Sequence, residues 1–135
     1  MPVTYIIDPA RRLIHTTCSG PVTLADVIDH FRTLNDDPAC SGQLDVLLDV
    51  SGADAVPESN ELRVVRSEIA GIRRKVQFGM CAIIAKSDPM FGMMRVFGVF
   101  AEQAFRVIQV FREAAEAEAW LVSQATPEDH PGDLR

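Results

Sequence analysis

Three histidines, three cysteines and one well-placed aspartate are the residues of this chain whose chemistry could build a site. His15, His30 and His130 stand apart, with no HxxH, HxxE or HxxC spacing. The side chains that hold zinc therefore do not converge along the sequence, and neither a metal nor another cofactor is expected. Cys18, Cys40 and Cys81 form an odd, widely spaced set without a CxxC pair, which suits a reducing compartment and buried, unpaired thiols. A Cys–His nucleophilic pair would have to be assembled by the fold. Cys18 and Cys81 fall in expected strands, where a thiol ordinarily serves as a small buried hydrophobe. Asp49 closes a run of strand residues, at the carboxyl edge where α/β proteins place their sites. There it either accepts N–H bonds from the loop behind it or acts on a small molecule. GxGxxG, GxxxxGK[ST] and GxSxG are all absent, so a glycine loop for phosphates and a nucleophile elbow are not supported.

The elements that must position these residues are legible from periodicity. Residues 3–7 and 13–18 are rich in β-branched and aromatic side chains and flank the turn Asp8-Pro9-Ala10-Arg11, which predicts a hairpin. Thr23, with Asp26 three residues on, marks a helix start. That helix carries Leu24, Val27, Ile28, Phe31 and Leu34 on one face, with His30 on its flank, and Asn35-Asp36-Asp37-Pro38 stops it. Residues 44–50 read as a buried strand. Leu62, Val65, Ile69 and Ile72 form the stripe of a second helix. Residues 76–85 are almost continuously apolar, as a central parallel strand covered on both faces should be. Ser87-Asp88-Pro89 opens a third helix with proline at its favoured first position. A last strand at 106–111 and a last helix at 112–123 follow. Strand and helix alternating after an opening hairpin predict an α/β fold with a mostly parallel sheet of about five strands. One domain is expected over residues 1–123, with 124–135 as a flexible tail.

Composition excludes several classes. A net charge of −6 argues against nucleic acid as a partner. Residues 61–75 run against that balance with Arg63, Arg66, Arg73, Arg74 and Lys75. They form either a solvated helix face or a patch for an acidic partner or anionic lipid. The N-terminus has no basic region followed by a long apolar run, so no secretory signal is read and a cytoplasmic location is expected.

The third helix is unusually oily. Met90, Met93, Met94, Phe97, Ala101 and Ala104 make one stripe, yet Phe91, Val96, Val99 and Phe100 spread apolar surface around much of the remaining circumference. Such a helix calls for a second apolar neighbour, and it is too short to span a bilayer, which takes about 20 apolar residues.

Leu47-Leu48-Asp49-Val50 followed by a helix, Phe91-Gly92-x-x-Arg95, and Val110-Phe111 followed by Ala117-x-x-Trp120-Leu121 resemble the SpoIIAA-like proteins, relatives of STAS domains. The resemblance spans approximately residues 13–121. It implies a singly wound parallel β/α superhelix with a β-hairpin at one edge, the architecture shared with CRAL-TRIO lipid-binding domains. In the anti-sigma-factor antagonists among STAS proteins a serine at the start of the helix after this strand is phosphorylated. Ser59, in Pro57-Glu58-Ser59-Asn60, falls at that place, but the preceding aspartate and following glycine are missing; a plain helix N-cap is the alternative.

The expectation is a non-enzymatic binding or regulatory module whose working surface is Met90, Phe91, Met93, Met94, Val96, Phe97, Val99 and Phe100. Its partner would be an apolar small molecule or lipid, or a membrane surface. A protein–protein module, a homodimer or a docked regulator, is the alternative. A small-molecule enzyme with a site near Asp49 comes third.

Overall fold

The computed structural model describes residues 2–72 and 75–125. β1 (Val3–Asp8) and β2 (Leu13–Gly20) pair antiparallel, with Val3 opposite Cys18 and Asp8 opposite Leu13. Asp8 Oδ1 accepts the N–H groups of Ala10 and Arg11 at 3.1 and 3.3 Å, which holds the reversal. Strand and helix then alternate as α1 (Leu24–Asp36), β3 (Gly42–Ala53), α2 (Ser59–Ile72), β4 (Val76–Ile84), α3 (Asp88–Phe100), β5 (Val107–Phe111) and α4 (Ala114–Ala125). The sheet order is β1-β2-β3-β4-β5, and every pair after the hairpin is parallel. This is the singly wound α/β sheet with its hairpin at one edge.

The monotonic strand order decides where the helices go. Each right-handed crossover steps one strand in the same direction, so successive crossover helices land on the same face. α1, α2 and α3 accordingly cover one face, over Ile14, Leu44, Phe78, Cys81 and Ile83. α4 follows the last strand and takes the opposite face, where Ala117 and Leu121 meet Leu47, Met80, Ala82 and Ile84.

Several boundaries differ from those expected. β3 is longer than residues 44–50 and continues through Ala53 beside the end of β2. β4 is interior and buried on both faces, but the middle of the five strands is β3. β5 and α4 begin one and two residues later than expected; between them the Arg112 guanidinium donates to the Lys86 carbonyl and to Asp88 Oδ1, at 3.1 and 2.7 Å. α3 ends at Phe100, and residues 101–104 form a turn. The start of α2 also shifts: Leu62 N–H bonds the Glu58 carbonyl, so Glu58 rather than Ser59 holds the cap position.

Two aspartates shape irregularities in the sheet. Between the pairs Leu44↔Phe78 and Val46↔Cys81, β4 carries an extra residue. Asp45 Oδ1 accepts the Met80 N–H there at 2.8 Å. A Cβ at Gly79 would come within 2.3 Å of the same oxygen, so any larger residue there would have to push the carboxylate off the Met80 N–H. Between Thr17↔Asp49 and Ser19↔Gly52 the extra residue is on β3, and Asp49 Oδ1 accepts both the N–H and the hydroxyl of Ser51. Where a strand ladder slips, a short carboxylate takes over the freed donor.

Candidate functional site

The three-helix face does not close on the sheet. A cavity of about 290 Å³ lies between α1, α2, α3 and the strands β2, β3 and β4, close to the ~300 Å³ lower end of small-molecule sites. The capping box at the start of α1 positions one wall: Asp26 N–H donates to Thr23 Oγ1 at 3.1 Å, and Thr23 N–H to Asp26 Oδ2 at 2.9 Å. Val27, His30, Phe31 and Leu34 then turn inward, at the i, i+3, i+4, i+7 spacing of one helix face. Leu62, Val65 and Ile69 do the same from α2, and Met90, Met94 and Phe97 from α3. The floor is Val46, Leu48 and Val50 of β3 with Thr16 and Cys18 of β2.

One end of this space reaches the surface. Val22, Thr23 and Leu24 at the head of α1, Val56 and Pro57 after β3, and Glu61 on the first turn of α2 all line it and are partly or fully exposed. The mouth therefore lies at the carboxyl ends of the strands, where open α/β sheets place ligands. His30 is seven residues along α1 from Thr23, which sets it about 10 Å down the helix axis at 1.5 Å per residue.

The lining is apolar apart from Thr16, Thr23, His30, Glu61 and the thiols of Cys18 and Cys81. His30 is buried against the rings of Tyr5 and Phe31, with centroids 5.4 and 5.2 Å away. Burial lowers its pKa from 6.5 to about 4, so the imidazole is neutral near pH 7. Tyr5 donates to Asp37 Oδ2 at 2.7 Å. Burial first and that bond second raise the phenol to about 12, while the bond holds the Asp37 carboxyl below its ordinary value. Burial pushes Cys18 up to about 11 and raises Cys40 and Cys81 as well. All three thiols are free and buried, in the protonated and unreactive form.

The residues picked from the sequence separate into groups. Met90, Met94 and Phe97 are buried and line the cavity. Met93 is half-buried against the same core, as are Phe91 and Phe100, which carry the guanidinium groups of Arg112 and Arg63 at 4.3 and 5.3 Å from their ring centroids. Val96 and Val99 are 38% and 64% exposed and stand outside the cavity. Ser59 is exposed on the first turn of α2. Asp49 points to the α4 side of β3, away from the cavity, and its carboxylate serves its own strand. Of the basic segment, Lys75 turns inward to the Asn35 and Asp37 carbonyls at the end of α1, a helix C-cap. Arg73, Arg74 and His130, with the expected tail beyond residue 125, lie outside the described residues.

His30, expected on the flank of α1, turns into the cavity, and Thr16 is a lining residue that the sequence reading does not name. The spacing carries the signal for His30: Val27, His30, Phe31 and Leu34 share one face of α1. Among the described residues, no group of three or more His, Cys, Asp or Glu side chains could hold a metal ion, and no helix is long and apolar enough to cross a membrane. Compared with protein-family models and with curated proteins, the chain matches none.

Proposed function

We propose that this chain is a non-enzymatic binding module of the SpoIIAA-like kind, and that it holds an apolar small molecule or a lipid chain between its three-helix face and the sheet. The observation that carries this reading is the cavity itself. A space of about 290 Å³ walled by leucine, valine, methionine and phenylalanine leaves buried surfaces without partner atoms, and filling it restores those contacts. Methionines at 90 and 94 suit an adaptable wall, since their side chains re-pack around irregular guests. The buried, protonated thiols of Cys18 and Cys81 offer no activated nucleophile in the cavity, and Asp49 points away from it, which favours binding over catalysis. Native mass spectrometry of freshly purified protein tests the reading. A co-purified mass that disappears on solvent extraction, with uptake of the neutral dye Nile red afterwards, is expected. An unliganded mass together with no dye uptake by the extracted protein would contradict it.

A second reading rests on Val96 and Val99, exposed and three residues apart on α3. They would make a seam with a second copy of the chain or touch a membrane surface. The same mass spectrum reports subunit number, and liposome sedimentation reports the membrane contact.

A further inference from the structure

Two polar side chains interrupt the apolar interior of the cavity. Thr16 on β2 is 4% exposed and His30 on α1 is 9% exposed. Their contact, Thr16 Oγ1 to His30 Nε2, spans 3.5 Å, the outer limit of a hydrogen bond. Among the described residues, His30 Nδ1 has no hydrogen-bond partner. Buried polar groups are nearly always satisfied, and a pair held this loosely in apolar surroundings is costly unless something completes it. A neutral imidazole offers one donor and one acceptor, and a hydroxyl offers both. One oxygen placed beside Thr16 Oγ1 and His30 Nε2, which stand 3.5 Å apart, could bond to each; Nδ1 points away from that place and is not served by it.

The charges say which oxygen. Among the described residues, the lining contains no lysine or arginine, and its one formally charged residue is Glu61, near the mouth. Burial keeps His30 uncharged near pH 7. A carboxylate or phosphate entering this space would lose its hydration without gaining a counter-ion, and would pass an acid on the way in. We infer that the occupant is a neutral single-chain amphiphile, whose hydroxyl or carbonyl oxygen sits on Thr16 and His30 while its hydrocarbon fills the space toward the mouth. This rests on reading the cavity as a ligand site, and it adds what the ligand must carry and what it must lack.

Displacement of Nile red by decanol, decanoate and decane near neutral pH tests it on the intact protein. Decanol should bind several-fold more tightly than decane, as one well-buried hydrogen bond predicts, and at least about tenfold more tightly than decanoate, whose charge loses its hydration on entry. Thr16→Val keeps the side chain's shape without its hydroxyl, and His30→Phe removes the imidazole. Each should bring decanol down to the affinity of decane while decane itself still binds. Decanoate binding as tightly as decanol would overturn the inference, as would either variant retaining the full preference for decanol. Decane binding with no gain for decanol would overturn it too, and leave the cavity reading standing. Failure of all three compounds to displace the dye would overturn both.

Discussion

Leu47 and its chain neighbours Val46 and Leu48 sit side by side on the middle strand of the sheet, yet they live in different surroundings. Leu47 faces α4 and is 1% exposed, packed with Met80, Ala82, Ile84 and Leu121. Val46 and Leu48 face the three-helix side, remain only partly buried, and line the cavity. One face is closed by a single helix, while the other stays open under three. More covering elements do not give tighter packing: α1, α2 and α3 all send side chains over the middle of the sheet, and the space they enclose there is not filled. The packed face reads as the one that stabilises the fold and the open face as the one that can take a guest.

The largest expected effect is on the packed face. Leu47→Ala should cost about 3–5 kcal/mol in urea unfolding, the range for a leucine whose cavity cannot relax. Leu48→Ala should cost about half of that or less, because part of its side chain already borders empty space and less surface is returned to water. Equal losses at the two positions would erase the distinction between the faces.

His30 gives the open face a pH dependence. Its folded pKa of about 4 lies below the unfolded 6.5, so between these values the unfolded state binds the extra proton. The stability contributed by neutral His30 is complete above pH 6.5 and falls by up to about 3 kcal/mol as the pH drops to about 4. Unfolding free energies of the parent and His30→Gln across this window should converge as the pH falls. Parallel curves would show that the imidazole is solvated in the folded chain.

Adding volume should have opposite signs on the two faces. Ala82 is fully buried beneath α4, and Ala82→Leu should cost about 1–3 kcal/mol through overpacking. Val46→Phe grows into the cavity; it should leave stability unchanged or raise it by about 1 kcal/mol, while lowering Nile red uptake. A large loss from Val46→Phe would mean that the wall is rigid and the space unavailable. The smallest effect belongs to Val96→Glu combined with Val99→Glu, which should change monomer stability by less than about 0.5 kcal/mol. If the pair forms a subunit seam, the same double variant abolishes self-association.

The order of elements was legible because it follows from local periodicity: the β-branched runs, the Thr23 and Ser87 caps, and the apolar stripe of Leu62, Val65, Ile69 and Ile72 each specify one element by themselves. The extent of β3 was not, since Asp49 and Ser51-Gly52 look like a strand end. In the sheet that aspartate bonds Ser51 across an irregularity, and the strand resumes beside Ser19 and Gly20. The candidate site was legible in part. Met90, Met94 and Phe97 stood out by spacing, but a stripe looks the same whether its inner face meets side chains or empty space. A cavity is the difference between the separation of elements and the volumes that fill it, and no single segment encodes that difference. His30 was misplaced for a related reason. A buried imidazole is identified by the Tyr5 and Phe31 rings and by Thr16 around it, of which only Phe31 is close in sequence.

The central claim is that the guest sits between the sheet and the three helices, and methyl NMR of the isoleucine, leucine and valine side chains during titration with decanol reads this directly. The account predicts shifts at Val46, Leu48, Val50, Val65 and Leu34, with Leu47, Ile84 and Leu121 on the packed face unmoved. Shifts centred on Val96 and Val99, or on the packed face, would contradict it.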